Sequence, residues 1–262
     1  MTLPAKTPVV GTPISMTSYD EVLQALATRR SDRALTVAVC NVHSVMSARN
    51  DPNLRSALID ADIATPDGVP LVWGIRWTAN PGQERVYGPE LMVRSLVASG
   101  TKGWRHYLYG STPATLASLK AAIAELSPEA SIVGTESPPF RRLTDAEERA
   151  VIDRLQNSGA DVVWVGLGMP KQELWISRVA PHLPGVALLG VGAAFDFLAG
   201  TKRQAPAWLQ RAGLEWLFRL IREPRRLWRR YLWNNPAYLL LLAHQVIKGK
   251  LRRRPMTTSQ EP

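Results

Sequence analysis

A single cysteine, Cys40, stands among 262 residues, and it lies inside an apolar run. One thiol closes no disulfide and builds no thiolate metal site, so a reducing compartment is expected. Histidine is scarce too: His43, His106, His182 and His244 show no metal-ligand spacing and form no Ser/His/Asp arrangement. Long hydrophobic runs are missing. The longest near the carboxyl end, Ala237–Ala243, is far short of the roughly 20 residues that a membrane-spanning helix needs. The first residues lack secretory features, since Pro4, Pro8 and Pro13 interrupt them and no apolar segment precedes a cleavage site. These absences predict a cytoplasmic protein that can lie on a membrane but does not cross one.

Acidic residues are almost absent from one stretch. Lys202 to Arg254 holds 14 Lys and Arg against two acids, Glu215 and Glu223, interleaved with Trp208, Trp216, Phe218, Trp228, Tyr231 and Trp233. Residues 1–201 carry 18 basic and 19 acidic side chains, so the excess behind the net charge of +10 sits in that stretch. Such a patch calls for a polyanion: a membrane surface, a nucleic acid or a diphosphate. A solvated face leaves six large aromatics unexplained. Nucleic acid is not the expected partner, because no recognised module is present and the body offers no basic groove. An interfacial segment fits, with Trp and Tyr at the headgroup level and Lys and Arg on anionic lipid. Arg219 and Arg222 share one helical face, and Arg226, Arg229 and Arg230 another. So many guanidinium groups exceed what lipid attraction needs, and some are suited to a diphosphate leaving group.

What is present in the first 200 residues is alternation. Residues 34–40, 62–65, 104–109, 131–135, 161–165 and 186–190 read as strands, several of them apolar on both faces. Residues 51–60, 88–97, 112–126, 144–157 and 170–180 read as helices, and an earlier one starts at Ser18. Thr112 before Pro113, Thr144 with Glu147, and Ser18 with Glu21 are start signals. This order predicts an α/β fold: a Rossmann-like, mostly parallel sheet with helices on both faces. After Gly200 the strands stop, and 207–222, 224–233 and 236–250 read as three helices. The expected organisation is an α/β body over 1–200, a basic aromatic helical appendage over 201–254 and a disordered tail over 255–262.

In such sheets ligands bind beyond the carboxyl ends of the strands, where helix N-termini present N–H groups to anions. The residues there are Asn41 and His43; Asp67 and Gly68; Gly110, Ser111 and Thr112; Gly166, Gly168 and Gln172; Gly192, Phe195 and Asp196. Asp67, between Pro66 and Gly68, is either a general base or the cap of the helix containing Val69–Trp77. The turn from Gly166 to Gln172 has half of a dinucleotide fingerprint, without its third glycine or a ribose-binding acid. It suits a phosphate-approaching turn or a tight strand–helix turn with no ligand. Asp60-Ala-Asp62 spells D-x-D but leads into a strand, the wrong end of the sheet, and reads as structural rather than metal-binding.

Four stretches together resemble the WecG/TagA/CpsF glycosyltransferase family: Ala61–Gly68 (ADIATPDG), Val165–Glu173 (VGLGMPKQE), Gly190–Phe197 (GVGAAFDF) and Glu215–Tyr231 (EWLFRLIREPRRLWRRY). The similarity runs from about Val10 to Tyr231 in the family's order and spacing. It implies inverting transfer of a sugar, typically of the N-acetylmannosamine type, from a UDP-sugar donor to a polyprenyl-diphosphate-linked sugar acceptor. It also implies a reaction without metal or cofactor at the inner face of a bacterial cytoplasmic membrane, in wall polymer, antigen or capsular polysaccharide assembly. By resemblance Asp67 is the base and Gln172 stands near the substrate, while Arg219, Arg226 and Arg229 complete the site over the donor diphosphate. Asn41, Gly68, Gly110, Gly168 and Gly192 complete the expected substrate-binding set. Members often carry Thr two residues before the motif asparagine, where this chain has Val39. A homo-oligomer is left open. The competing readings are a membrane or nucleic-acid binding module without catalysis, and a nucleotide-dependent oxidoreductase.

Overall fold

The apolar runs form strands and the capped segments form helices in a computed structural model that describes residues 2–252. The expected tail, 255–262, lies outside them. The chain begins with a hairpin, β1 (Lys6–Val9) and β2 (Thr12–Ser15), followed by α1 (Tyr19–Ala27). Next come β3 (Leu35–Cys40), α2 (Val42–Ala48), α3 (Pro52–Asp60), β4 (Ile63–Pro66), α4 (Val69–Thr78) and α5 (Gly88–Lys102). Then follow β5 (Arg105–Gly110), α6 (Pro113–Leu126), β6 (Ser131–Glu136), α7 (Asp145–Ser158) and β7 (Val162–Gly166). The body ends with α8 (Lys171–Val179), a 3-10 turn (Ala180–His182), β8 (Ala187–Gly190) and α9 (Ala194–Leu198). The basic segment forms α10 (Ala207–Arg211), α11 (Glu215–Arg222) and α12 (Pro224–Arg252).

Six strands build one parallel sheet in the order β4-β3-β8-β7-β5-β6, so all their carboxyl ends lie along one edge. Both faces are covered. Leu35, Val37 and Val39 of β3 join the core that includes residues of α1, α5 and α6, while Ala38 and Cys40 join the core on the hairpin side. β7 alternates likewise, with Val162 and Trp164 on the first face and Val163 and Val165 against residues of α7 and α8. Period-two alternation is what buries continuous apolar runs on both sides of a parallel sheet. The capping boxes at Ser18 and Thr144 form as expected, and Thr112 caps α6.

The basic segment departs from the expected three helices. Residues 207–222 are not one helix: Gly213, at φ 73°, breaks the segment into α10 and α11, and a Cβ there would lie 3.1 Å from Val69 Cγ1. Residues 224–233 and 236–250 are instead one helix, α12, which runs through Pro236. Its interior proline costs about 3 kcal/mol, but Leu227, Tyr231, Tyr238 and Leu242 form a buried stripe along it. Tyr238 and Leu242 are part of the hairpin-side core, and Tyr238 Oη donates to the Pro70 carbonyl at 2.9 Å. Gln245 clips the hairpin turn, accepting from Val10 N at 2.7 Å and donating to Pro8 O at 2.6 Å. Among the described residues no helix is long and apolar enough to cross a membrane.

Candidate active site

The end of β4 is stitched to the end of β3. Asp67 N donates to Cys40 O at 2.8 Å and Gly68 N to the same oxygen at 3.3 Å. A Cβ on Gly68 would lie 3.4 Å from Asn41, so the two strand ends approach closely. Asn41 is the N-cap of α2, its Oδ1 accepting from His43 N at 2.9 Å and Ser44 N at 3.3 Å. The N-cap of α4 is Gly68, with no side-chain cap. Asp67 is therefore not the helix cap, and its carboxylate faces elsewhere. Val39, two residues before Asn41, is buried in the core near Gly88.

Arg85, in the loop between α4 and α5, reaches back to that carboxylate. Its Nε donates to the Asp67 carbonyl, and its Nη2 is shared between Asp67 Oδ1 at 3.3 Å and Glu215 Oε2 at 2.8 Å. The guanidinium lies 4.1 Å over the Tyr87 ring, and Tyr87 Oη donates to Glu215 Oε1 at 3.5 Å. Burial pushes the Asp67 pKa up to about 6, with Glu215 adding to the rise while Arg85 and Arg219 pull it back. A carboxylate with that pKa is ionised at neutral pH yet basic enough to take a proton. A cavity of about 90 Å³ lies between the sheet edge and the appendage. Asn41, His43, Asp67 and Arg85 line it from below, and Glu215, Trp216, Arg219, Tyr231, Asn234 and Asn235 from α11 and α12.

A larger cavity, of about 740 Å³, opens at the carboxyl ends of β5 and β7. Beside it Gly110, at φ 124°, lets the ends of β5 and β7 approach closely: a Cβ there would lie 2.6 Å from the backbone carbon of Gly166. Tyr109 and Trp175 stack at 4.3 Å in its wall, and Phe140, Arg141, Arg142, Lys171 and Arg178 stand around it. Gly168 (φ 75°) and Gly192 (φ 51°) turn the chain nearby. Gln172 is buried beside them, its Oε1 accepting from Gly168 N at 3.1 Å and its Nε2 donating to Glu173 Oε1 at 3.0 Å. Gln172 thus holds the glycine turn and does not line the Asp67 cavity. Burial lifts the Glu173 carboxyl to a pKa of about 7, and its Oε2 has no hydrogen-bond partner.

The structure brings Asp67, Asn41 and Arg219 to one cavity, while Gly68 packs against Asn41 and does not line it. Gly110 packs against Gly166, which lines the larger cavity, but is not itself in the lining, and Gly168 and Gly192 lie by Gln172. Arg226 and Arg229 are not brought in: both are exposed, Arg226 pairing with Glu223 at 2.7 Å and Arg229 lying 5.2 Å over Trp228. Asp62 of the D-x-D accepts from Arg33 at 2.6 Å and Thr36 N at 2.9 Å at the amino ends of the strands, a structural task. Among the described residues no three His, Cys, Asp or Glu side chains are grouped to hold a metal. Arg85, Tyr87, Asn234 and Asn235 are not among the residues that the sequence singles out. Glu215 carried one available signal, as one of two acids in an otherwise basic segment.

The sequence profile of the glycosyl transferase WecG/TagA/CpsF family matches residues 7–252, nearly the whole chain. The chain belongs to that family, whose glycosyltransferases act in cell-wall and polysaccharide synthesis.

Proposed function

From that membership and the setting of Asp67, we propose an inverting glycosyltransferase that moves a sugar from a UDP-sugar to a polyprenyl-diphosphate-linked sugar acceptor. An N-acetylmannosamine-type donor is the first candidate. Asp67 accepts the proton of the acceptor hydroxyl as that oxygen attacks the anomeric carbon from the face opposite the leaving group. The bond from the anomeric carbon to the diphosphate oxygen breaks, and UDP departs with the electron pair. Arg219 and Arg85, with N–H groups at the strand ends, meet the charge on that diphosphate without a metal ion. The observation that carries this reading is the buried Asp67 carboxylate at the sheet's carboxyl edge, roofed by α11 and lifted to a pKa of about 6.

The larger cavity is proposed to hold the donor's nucleoside. β4 and β7 are three strand spacings apart in the sheet, roughly 14 Å at the usual spacing, which is comparable with an extended nucleoside diphosphate. Gln172, between the two cavities, then supports the turn over which the donor lies. Exposed Trp208, Ile221, Trp228, Trp233 and Leu240 beside exposed arginines support a peripheral seat on the inner face of the cytoplasmic membrane. The division into an α/β body and a closing appendage is part of the same proposal.

Transfer of radiolabelled sugar from UDP to a polyprenyl-diphosphate sugar, with and without EDTA, tests this. Asp67→Asn is expected to lower transfer by about 10²–10⁴ and EDTA to leave it unchanged. Near-normal turnover in the variant would remove Asp67 from the role of base. Loss in chelator, restored by Mg²⁺ or Mn²⁺, would overturn the metal-free mechanism.

A further inference from the structure

The charge balance of the Asp67 cavity rests on a residue with no assigned role. Asp67, Arg85, Glu215 and Arg219 face one another there, two anions and two cations. Glu215 opens α11, where an acid is favoured by the helix dipole. Its carboxylate is nearly buried, at 14% exposure, and accepts from Arg85 Nη2 at 2.8 Å. Among the described residues, this is the ion pair that joins α10–α12 to the rest of the protein. Resting on the transfer reaction proposed above, we propose that Glu215 is a positioning residue that latches α11 over the site through Arg85 and keeps the cavity neutral, so that Asp67 stays a proton acceptor and the product diphosphate is released.

The physical chemistry has two parts. Without the Glu215 charge, Asp67 would face two guanidinium groups alone, and its carboxylate would be over-stabilised and a weaker base. The same two cations, no longer offset, would hold a nucleoside diphosphate more tightly after transfer. Glu215 therefore opposes the binding of the very group that Arg85 and Arg219 help to leave. The charged and titratable neighbours of Asp67 are Arg85 from its loop, Tyr87 before α5, Tyr19 of α1, Cys40 of β3, His43 of α2, and Glu215 and Arg219 of α11. Only Glu215 among them adds a negative charge beside Asp67 at neutral pH.

Glu215→Gln removes the charge and keeps one of the two acceptor oxygens, which can still take the Arg85 hydrogen bond. It is compared with Glu215→Asp and wild type in the full-length protein, reading transfer against pH, UDP affinity by calorimetry, and protease cleavage within α10–α11. Expected for Glu215→Gln are an acid limb moved to lower pH, turnover lowered about three- to tenfold, and UDP bound severalfold more tightly. Glu215→Asp, which retains the charge, should restore the acid limb and the UDP affinity while leaving α11 more open to protease. An unmoved acid limb with unchanged or weaker UDP binding in Glu215→Gln overturns the assignment, leaving Glu215 a structural contact. Wild type that binds no UDP, or Asp67→Asn that transfers normally, sinks the transfer reading and this assignment with it.

Discussion

Asp67 and Glu173 are two buried carboxyls whose burial is answered in different ways. Asp67 is ionised at neutral pH because Arg85 and Arg219 offset part of its desolvation. If it is the base, kcat/KM should rise with pH and level off above about 6, the acid limb reporting its protonation. Its raised pKa also means that the ionised form costs stability on folding, on the order of 2–3 kcal/mol with the two arginines' compensation included. Asp67→Asn should therefore unfold at no lower a temperature than wild type at pH 8, which separates loss of catalysis from loss of fold. Among the described residues no cation offsets the burial of Glu173, whose carboxylate accepts from its own backbone N–H and from Gln172. A carboxyl whose folded pKa exceeds its unfolded value stabilises fully below about 4.5 and loses that contribution as pH rises through about 7. Glu173→Gln should match wild type at pH 5 and exceed it at pH 8, by on the order of 2–3 kcal/mol, in chemical denaturation at both pH values.

Among the elements, those bounded by local signals are the ones legible from the chain. The strands from β3 to β8 lie within a residue or two of their expected positions, because all but the edge strand β6 are apolar runs ended by Gly, Pro or Asn. α2 and α9 are short helices whose starts depend on the strand ends beside them, and periodicity over five to seven residues carries little signal. The β1–β2 hairpin turns at Val10 (φ 50°) and Gly11 (φ 86°), with Pro8 opposite Pro13. Prolines in both strands hide it, and Gln245 of α12 satisfies Val10 N, a partner 235 residues away in the chain. Pro236 reads as a helix start, yet burial of the α12 stripe on both sides of it carries the helix through. Pro236→Ala should raise stability by about 1–3 kcal/mol, since it restores a backbone donor and removes a ring clash. The midpoint of urea unfolding measures it, and a fall would mean that the proline ring at 236 is required for packing.

For the whole molecule, the appendage does two things in different places. α11 and the first half of α12 roof the Asp67 cavity, while Tyr238, Leu242 and Gln245 lock the second half onto the hairpin side of the sheet. The exposed arginines of α12 face neither task. Replacing Arg226 and Arg229 together with Ala should weaken binding to anionic vesicles and make what remains less sensitive to salt. About 1 kcal/mol per basic group is at stake near the surface. Turnover on a short, water-soluble acceptor should stay unchanged. A drop in that soluble turnover would return both residues to the site over the donor diphosphate, as the family resemblance implies.

The α/β class, the positions of β3–β8 and the family are legible in the sequence, and Asp67 stands out there as a candidate, because each rests on local patterning or on motifs contiguous in the chain. Local signals also marked Arg219 as a cation in a basic segment. Which charges meet is set by the fold. Arg85 and Glu215 are 130 residues apart in the chain, and their pairing depends on the parallel sheet aligning β3 and β4 and on α11 folding back across that edge. Gln172 likewise looked like a substrate contact in its motif but is enclosed by the Gly168, Gly190 and Gly192 backbones. Long-range placement sets burial, burial sets the strength of charge interactions, and no periodicity in the chain encodes that.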